Sequence, residues 1–159
     1  MILGILSDTH DRLHRTAQAV HLLKQAGAEV LVHCGDITTP DIVWVCSELP
    51  CYYVFGNNDY EQDRLRLAIR ESGGICLEWG GTAALDGKRI GIVHGDRLVE
   101  ERRCLEEKPD YLFCGHTHRC RDDRVGNTRI INPGALSRAR VHTVAVLDLH
   151  SDRLQFLEI

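Results

Sequence analysis

The sequence predicts an α/β fold in which two packed β-sheets carry helices on their outer faces. In the first half of the 159-residue chain, short apolar strands alternate with helical segments, and the second half is richer in strands. The βαβαβα order of the first half implies a parallel sheet with right-handed crossovers. No repeat, linker or shift in composition divides the chain. We therefore predict one domain, over residues 1–159.

The first half contains three predicted strands and three predicted helices. The strands are short apolar runs that end in polar clusters: Ile2–Leu6, Glu29–His33 and Cys51–Phe55. Apolar residues at helical spacing predict the helices: Leu13–Ala26, Ile42–Leu49 and Glu61–Glu71. Gly27 and the pair Gly73-Gly74 are suitable helix stops, and Pro40 stands near the first turn of the second helix.

The second half is predicted to be mostly β-structure, with one helix over Arg97–Glu107 that stops near Pro109. Asp86-Gly87 and Gly126-Asn127 are hairpin signals, and Asn132-Pro133-Gly134 is expected to break the chain. The predicted strands are Ile75–Trp79, Thr82–Leu85, Arg89–Val93, Tyr111–Cys114, Cys120–Val125, Thr128–Ile131, Thr143–Leu149 and Leu154–Ile159.

Composition and charge exclude several classes of protein. A net charge of −4 and a pI near 6.1 provide no basic surface for nucleic acid, which we do not expect as a structural partner. No apolar run approaches the ~20 residues that cross a bilayer, so no membrane association is expected. Residue 1 leads directly into an apolar strand, without the features of a secretory leader. The expected location is the cytoplasm.

The seven cysteines argue against disulfides and against a cysteine zinc site. Their number is odd, no two have the CxxC spacing, and most lie in or beside apolar runs. We interpret them as small buried side chains in a reducing compartment. Cys34 and Cys114 each stand next to a glycine, and a catalytic thiol is the alternative interpretation at these two positions.

Metal-ligating side chains follow five of the predicted strands. Each alone has an ordinary explanation: Asp8 could cap a helix, and Asp36 or Asn57 could be a turn residue. Loops at the carboxyl ends of parallel strands converge on one crevice, however, so five such clusters together indicate a shared site. The candidate ligands are Asp8, His10, Asp36, Asn57, His94, His116 and His118.

These seven donors also restrict the identity of the metal. They include no thiolate, and imidazoles disfavour an all-oxygen calcium or magnesium site, which leaves manganese, iron, cobalt, nickel or zinc. Seven donors are more than one tetrahedral ion can bind, but they suit two ions that share a bridging carboxylate. Such a site keeps net positive charge, attracts phosphate, and lowers the pKa of bound water to about 7.

Five short motifs resemble those of the calcineurin-like metallophosphoesterases, in the order in which that superfamily has them. They are Asp8-Thr9-His10, Gly35-Asp36, Gly56-Asn57-Asn58-Asp59, His94-Gly95 and Gly115-His116-Thr117-His118. The compact length, and Asn132-Pro133-Gly134 before the last hairpin, are similar to the small single-domain bacterial and archaeal phosphodiesterase branch. The resemblance implies a four-layer αββα sandwich with two mixed sheets.

The resemblance also implies a mechanism. One metal would be held by Asp8, His10, Asp36 and His118, and the second by Asp36, Asn57, His94 and His116, with Asp36 bridging. Asp36, Asn57 and His94 would then act in catalysis through the metals. A metal-bridging hydroxide would attack a small phosphodiester substrate in line, with Mn²⁺ preferred over Ni²⁺, Co²⁺, Fe²⁺ or Zn²⁺. A homo-oligomer is expected by resemblance only.

One departure from the superfamily concerns the third motif. Many relatives have a histidine, thought to protonate the leaving group, where this chain has Asn58. An amide cannot act as a general acid, whose contribution is typically ~10²–10⁴-fold. The small phosphodiesterase branch commonly lacks this histidine as well. The alternative function is a protein-binding scaffold with little or no catalysis, as in the small retromer subunit.

A few further residues have two interpretations each. Asp59 could orient a ligand histidine or cap the next helix. Arg138 and His142, in the loop before the final hairpin, could contact substrate. His33 could support the site or simply pack in its strand.

Overall fold

The computed structural model describes residues 1–159 and confirms the predicted fold class. The strands are β1 (Ile2–Leu6), β2 (Val30–His33), β3 (Cys51–Tyr53), β4 (Ile75–Cys76), β5 (Gly80–Leu85), β6 (Lys88–Val93), β7 (Tyr111–Phe113), β8 (Cys120–Val125), β9 (Thr128–Pro133), β10 (Thr143–Asp148) and β11 (Arg153–Glu158). The helices are α1 (Leu13–Gln25), α2 (Pro40–Cys46), α3 (Gln62–Glu71) and α4 (Leu98–Glu106).

The strands form two mixed sheets. The first sheet has six strands in the order β11-β10-β1-β2-β3-β4, and the second has five in the order β5-β6-β7-β9-β8. β1, β2, β3 and β4 are parallel neighbours, and so are β6, β7 and β9. β1, β2 and β3 therefore end at one edge of the first sheet, as β6 and β7 do in the second.

The buried side chains separate into layers because successive strand residues point to opposite faces. In β2, Leu31 packs with helices α1, α2 and α3, whereas Val30 and Val32 face the second sheet. In β7, Phe113 faces the first sheet and Leu112 packs with Cys104 of α4. The order of layers is thus three helices, two sheets and one helix, the αββα arrangement implied by the resemblance.

Two turn predictions are confirmed. Gly27, just past α1, has φ 89°, the left-handed conformation that ends a helix. Asp86 and Gly87 join β5 to β6 with φ 49° and 74°, as a type I′ hairpin turn requires.

Several predicted boundaries are wrong by a few residues. The strand predicted over 75–79 ends at Cys76, because Glu78 has φ 57° and leaves the extended conformation. The second helix begins at Pro40 and ends at Cys46. The predicted break at Asn132 comes later, because β9 continues to Pro133, the end of the ladder, where a missing N–H is tolerated.

The two tryptophans lie in different surroundings. Trp44 lies outside the core, and 47% of it is exposed. Trp79 lies against Phe55 and carries the Arg97 guanidinium 3.4 Å above its ring. None of the four helices combines the length and the apolar character that a bilayer crossing requires.

Replacing a side chain between the two sheets should destabilise the fold strongly. Leu3 is fully buried there, so Leu3→Ala should lower the free energy of unfolding by about 2–5 kcal/mol in urea denaturation. The matched control is Leu98→Ala, at a position 66% exposed, which should change it by less than about 0.5 kcal/mol. Equal effects would contradict the packing of the two sheets.

Candidate metal centre

The carboxyl ends of five strands bring the predicted ligands to one place. Asp8 and His10 follow β1, Asp36 follows β2, and Asn57 lies beyond β3. In the second sheet, His94 follows β6, and His116 and His118 follow β7. Ligating atoms of Asp8, His10 and His118 lie within 4.8 Å of one another, and so do those of Asp8, Asp36 and His94.

Five of the seven predicted ligands have a backbone conformation that is rare for residues other than glycine. Their φ angles lie between 41° and 67°: Asp8, His10, Asp36, His116 and His118. Such residues cluster at functional sites, where surrounding contacts hold a costly geometry. Here the Asp8 N–H donates to Gly35 O at 3.0 Å, and the His10 N–H donates to Asp36 O at 3.1 Å. The first two loops thereby hold each other in place.

Two of the histidines are oriented by backbone carbonyls. A carbonyl can only accept, so His94 Nδ1 donates to Cys34 O at 2.7 Å and His118 Nδ1 donates to Arg138 O at 3.3 Å. The Nε2 atom of each ring is then the one directed toward the other ligands. His94 Nε2 lies 3.2 Å from Asn57 Oδ1, and His118 Nε2 lies 3.0 Å from Asp8 Oδ1. Nitrogen and oxygen atoms thus lie close together in pairs, an arrangement that a cation between them would stabilise.

Asp36 lies between the two halves of the cluster. Its Oδ2 is 3.3 Å from His10 Nε2 and 3.6 Å from His94 Nε2. Asn58 orients this carboxylate, because its backbone N–H donates to Oδ1 at 2.8 Å and its amide donates to Oδ2 at 2.7 Å. Asn58 thus orients a predicted ligand, and its amide has no acidic proton to give to a leaving group.

Two buried polar atoms in the cluster lack hydrogen-bond partners, namely Asp8 Oδ1 and His10 Nε2. Buried polar atoms without partners are costly and rare in folded proteins. A metal ion would bind both the carboxylate oxygen and the imidazole nitrogen. The residues present therefore fit divalent metal ions that accept nitrogen and oxygen ligands.

His116 and Asn57 lie at the exposed side of the cluster. The His116 ring meets the His94 ring edge to face, with centroids 5.1 Å apart, and His116 belongs to neither group of closely spaced ligands. Its backbone N–H donates to Asp8 Oδ2 at 3.0 Å, which ties β7 to β1.

The surroundings of Asp36 and His10 favour the protonation states that bind metal. Burial alone would raise the pKa of Asp36, but His94 and the two N–H groups of Asn58 outweigh it and hold the pKa below its usual value. Burial lowers the pKa of His10, and the opposing effect of Asp36 is smaller. An ionised carboxylate and a neutral imidazole are both competent ligands.

Both interpretations of Asp59 from the sequence are wrong. It forms no hydrogen bond with a histidine and does not cap α3. Its carboxylate accepts from three backbone N–H groups, those of Gly56 at 2.7 Å, Asp36 at 3.0 Å and Thr38 at 2.7 Å. One carboxylate therefore joins the loop after β2 to the loop after β3.

His33 is a packed histidine, fully buried at the end of β2. Its Nδ1 accepts from the Gly35 N–H at 3.2 Å, so its Nε2 carries the hydrogen and donates to Thr9 Oγ1 at 3.1 Å. Thr9 Oγ1 in turn donates to Asp36 O at 3.1 Å. These hydrogen bonds from His33 through Thr9 support the loop that carries Asp36, a role of Thr9 that no sequence pattern indicates.

Neither candidate thiol suits a nucleophile. Burial raises the pKa of Cys34 well above its usual value and raises that of Cys114 to about 11. Both thiols are therefore protonated at neutral pH, and the alternative of a catalytic cysteine is not supported. All seven cysteines are free.

Close packing at two glycines explains why they accompany the ligands. A Cβ at Gly56 would overlap the Asp36 carboxylate, and a Cβ at Gly115 would overlap Ser7 Oγ. These loops can approach each other only without a side chain at those positions.

Two open clefts flank the cluster. The first cleft, of about 680 Å³, includes His116, His118 and Arg138, and the second cleft, of about 500 Å³, includes His10, Asn58 and again Arg138. Arg138 thus lines both clefts, whereas His142 lines neither. Of the two loop residues considered for substrate contact, only Arg138 is positioned for it.

A buried ligand cluster at the strand ends of an αββα sandwich defines a metallophosphoesterase fold. Residues 1–152 match the calcineurin-like phosphoesterase superfamily domain, and the chain belongs to this superfamily.

Individual relatives agree with this assignment. The chain is 26% identical to phosphodiesterase MJ0936 of Methanocaldococcus jannaschii, covering 100% of this chain and 98% of that protein. It is 30% identical to a probable metallophosphoesterase of Methanothermobacter thermautotrophicus, covering 96% and 87%. A solved structure of an archaeal phosphodiesterase superimposes with a TM-score of 0.91 at 24% identity, with 100% of both chains covered.

Acidification should destabilise the metal-free protein through His33. Burial lowers the pKa of His33 from 6.5 to about 3 in the folded protein. Between these values the unfolded chain binds one more proton, so the free energy of unfolding falls as the pH falls, by up to about 1.4 kcal/mol per pH unit. Urea denaturation in EDTA at several pH values measures this slope.

The variant His33→Gln should show a shallower slope, whereas the exposed control His14→Gln should keep it. Identical slopes for all three proteins would show that His33 does not titrate as its burial requires.

Proposed function

We propose that the protein is a phosphodiesterase that works with two divalent transition-metal ions. Membership of the calcineurin-like phosphoesterase superfamily supports the enzyme class, a metal-dependent phosphoric ester hydrolase. The observation that carries the proposal is the orientation of His94 and His118, whose Nδ1 atoms contact backbone carbonyls and whose Nε2 atoms lie 3.2 Å and 3.0 Å from oxygen atoms of Asn57 and Asp8. The proposed ligands are Asp8, His10, Asp36 and His118 for one ion, and Asp36, Asn57, His94 and His116 for the other.

The ions, when bound, would supply a hydroxide nucleophile at neutral pH and positive charge for the phosphoryl oxygens. The chain's own groups would orient the ligands. Asn58 and His10 surround the shared Asp36 carboxylate, and carbonyls of Cys34 and Arg138 fix the two imidazoles. Donors of nitrogen and oxygen with no thiolate suit Mn²⁺, Ni²⁺, Co²⁺, Fe²⁺ or Zn²⁺, and we propose Mn²⁺ first because of the family resemblance.

The Asn58 amide donates to Asp36 and has no acidic proton, so the proposed enzyme lacks a general acid at this position. Diesters whose leaving group departs without protonation, such as bis-(p-nitrophenyl) phosphate, should be its best substrates. A small phosphodiester is the proposed substrate class. Seven free cysteines support the proposal that the protein resides in the cytoplasm.

A protein-binding scaffold is the second candidate. A scaffold could lose ligands without consequence, and here every one of the seven positions holds a competent donor. That completeness favours the enzyme. The homo-oligomer and the absence of a nucleic-acid partner stay predictions from the sequence.

Loss of the shared carboxylate should matter far more than loss of the residue that orients it. Asp36→Asn should reduce turnover of bis-(p-nitrophenyl) phosphate with Mn²⁺ by about 10³-fold or more, because both ions lose a ligand. Asn58→Ala should reduce it by about tenfold to a hundredfold, because the Asn58 backbone N–H still holds Asp36.

The exposed controls are Asp41→Asn and Asn127→Ala, which should keep wild-type turnover. Comparable rates for Asp36→Asn and Asn58→Ala would contradict the shared role of Asp36.

Metal removal should abolish turnover and lower thermal stability together. EDTA should eliminate hydrolysis, and Mn²⁺ should restore it and raise the melting temperature. A ligand at about 100 times its Kd stabilises the fold by about 2.7 kcal/mol. Calorimetric titration should give two Mn²⁺ per chain. Tight metal binding without hydrolysis of any diester would favour the scaffold.

A further inference from the structure

The first cleft beside the metal centre is strongly positive. It is lined by Arg119, Arg138 and Arg140, and it contains no aspartate or glutamate. It begins at two of the predicted ligands, His116 and His118. Any substrate whose scissile phosphate lies at the metal centre therefore has this positive cleft directly beside it.

The three arginines share one property. None of them forms an ion pair with a carboxylate, whereas Arg121 and Arg129 nearby are paired with Asp123 and Asp122. Their positive charge in the first cleft is therefore not neutralised locally and attracts an anion. Guanidinium groups are well suited to phosphate, which they bind through paired hydrogen bonds.

The second cleft has a different character. Its cations, Arg64 and Arg138, are balanced by Asp11 and Glu61, and Arg64 is paired with Glu61. Tyr60 also lines it, with 81% of the residue exposed, and its ring offers a face on which a flat group could stack. This cleft suits an uncharged substituent.

From this asymmetry, and resting on the proposed phosphodiesterase function, we propose that the substrate is a phosphodiester with a second phosphate on one of its two substituents. The second phosphate lies in the first cleft against Arg119 and Arg140. The other substituent, a flat group such as a nucleobase, lies in the second cleft beside Tyr60. Arg138, which lines both clefts, lies next to the scissile phosphate.

The test compares two substrates that differ only in the second phosphate: the thymidine dinucleotide with and without a 5′-phosphate. With the Mn²⁺-loaded protein, kcat/KM should be at least about tenfold higher for the phosphorylated dinucleotide, as a charge-assisted contact predicts. The preference should shrink as ionic strength rises.

The double variant Arg119→Ala and Arg140→Ala should lose most of this preference. Its matched control, Arg70→Ala and Arg102→Ala, removes the same charge from exposed positions on α3 and α4 and should keep it. A wild-type ratio near one, or a ratio that the first-cleft variant leaves unchanged, would overturn the inference.

A binding measurement separates this inference from the proposed function. Calorimetry of the Mn²⁺-loaded full chain with methylphosphonate analogues of the two dinucleotides, whose linkage is not hydrolysed, needs no catalysis. Tighter binding of the phosphorylated dinucleotide, lost in the Arg119 and Arg140 variant, would support the inference even if no diester is hydrolysed. Equal binding of the two dinucleotides would overturn it even if bis-(p-nitrophenyl) phosphate is hydrolysed.

Discussion

Two carboxylates buried among histidines are the constraint on which the site depends. Asp8 is fully buried and Asp36 nearly so, and burial of a charge is costly unless opposite charge or hydrogen bonds compensate it. Asp36 has two N–H donors from Asn58, whereas Asp8 Oδ1 has none. The loops therefore present carboxylate oxygens and imidazole nitrogens to a common space, which suits divalent cations.

The support for these ligands comes from residues that hold backbone rather than metal. Asp59 joins the loops of Asp36 and Gly56, the His33 and Thr9 pair supports the loop of Asp36 from β2, and the His116 N–H reaches Asp8. The strained φ angles at the ligands persist because these contacts determine each loop from several sides. The loops at this edge can make these contacts only when the parallel strands that precede them are in register.

Much of the fold and the seven candidate ligands could be predicted from the sequence. Short apolar runs ending in Asp, Asn or His are a local signal, and the βαβ order indicates that their ends meet. The strand boundary at Cys76 could not be predicted this way, because Leu77 and Trp79 continue the alternation of a strand, yet the chain turns at Glu78. Helix α2 was misplaced for a similar reason, since apolar spacing continues past its end at Cys46.

The contacts that surround the ligands could not be predicted from the sequence, for a different reason. Asp59 shows the signal of a helix cap, but its actual hydrogen bonds run to residues 20 or more positions earlier as well as to Gly56. Arg119 and Arg140 are ordinary surface residues until the fold brings their loops to the same cleft. Contacts between distant segments require the three-dimensional arrangement, which local patterns do not encode.

The position of β1 in the first sheet has a consequence for biosynthesis. β1 is an interior strand, flanked by β2 on one side and by β10, from the far end of the chain, on the other. While the ribosome is still making the second half, the strand that precedes Asp8 and His10 has one open edge, and pairings between such distant segments form slowly. Pairing of β1 on both sides therefore requires residues 143–148, so a nascent chain that stops short of β10 leaves the strand before Asp8 and His10 with an unpaired edge.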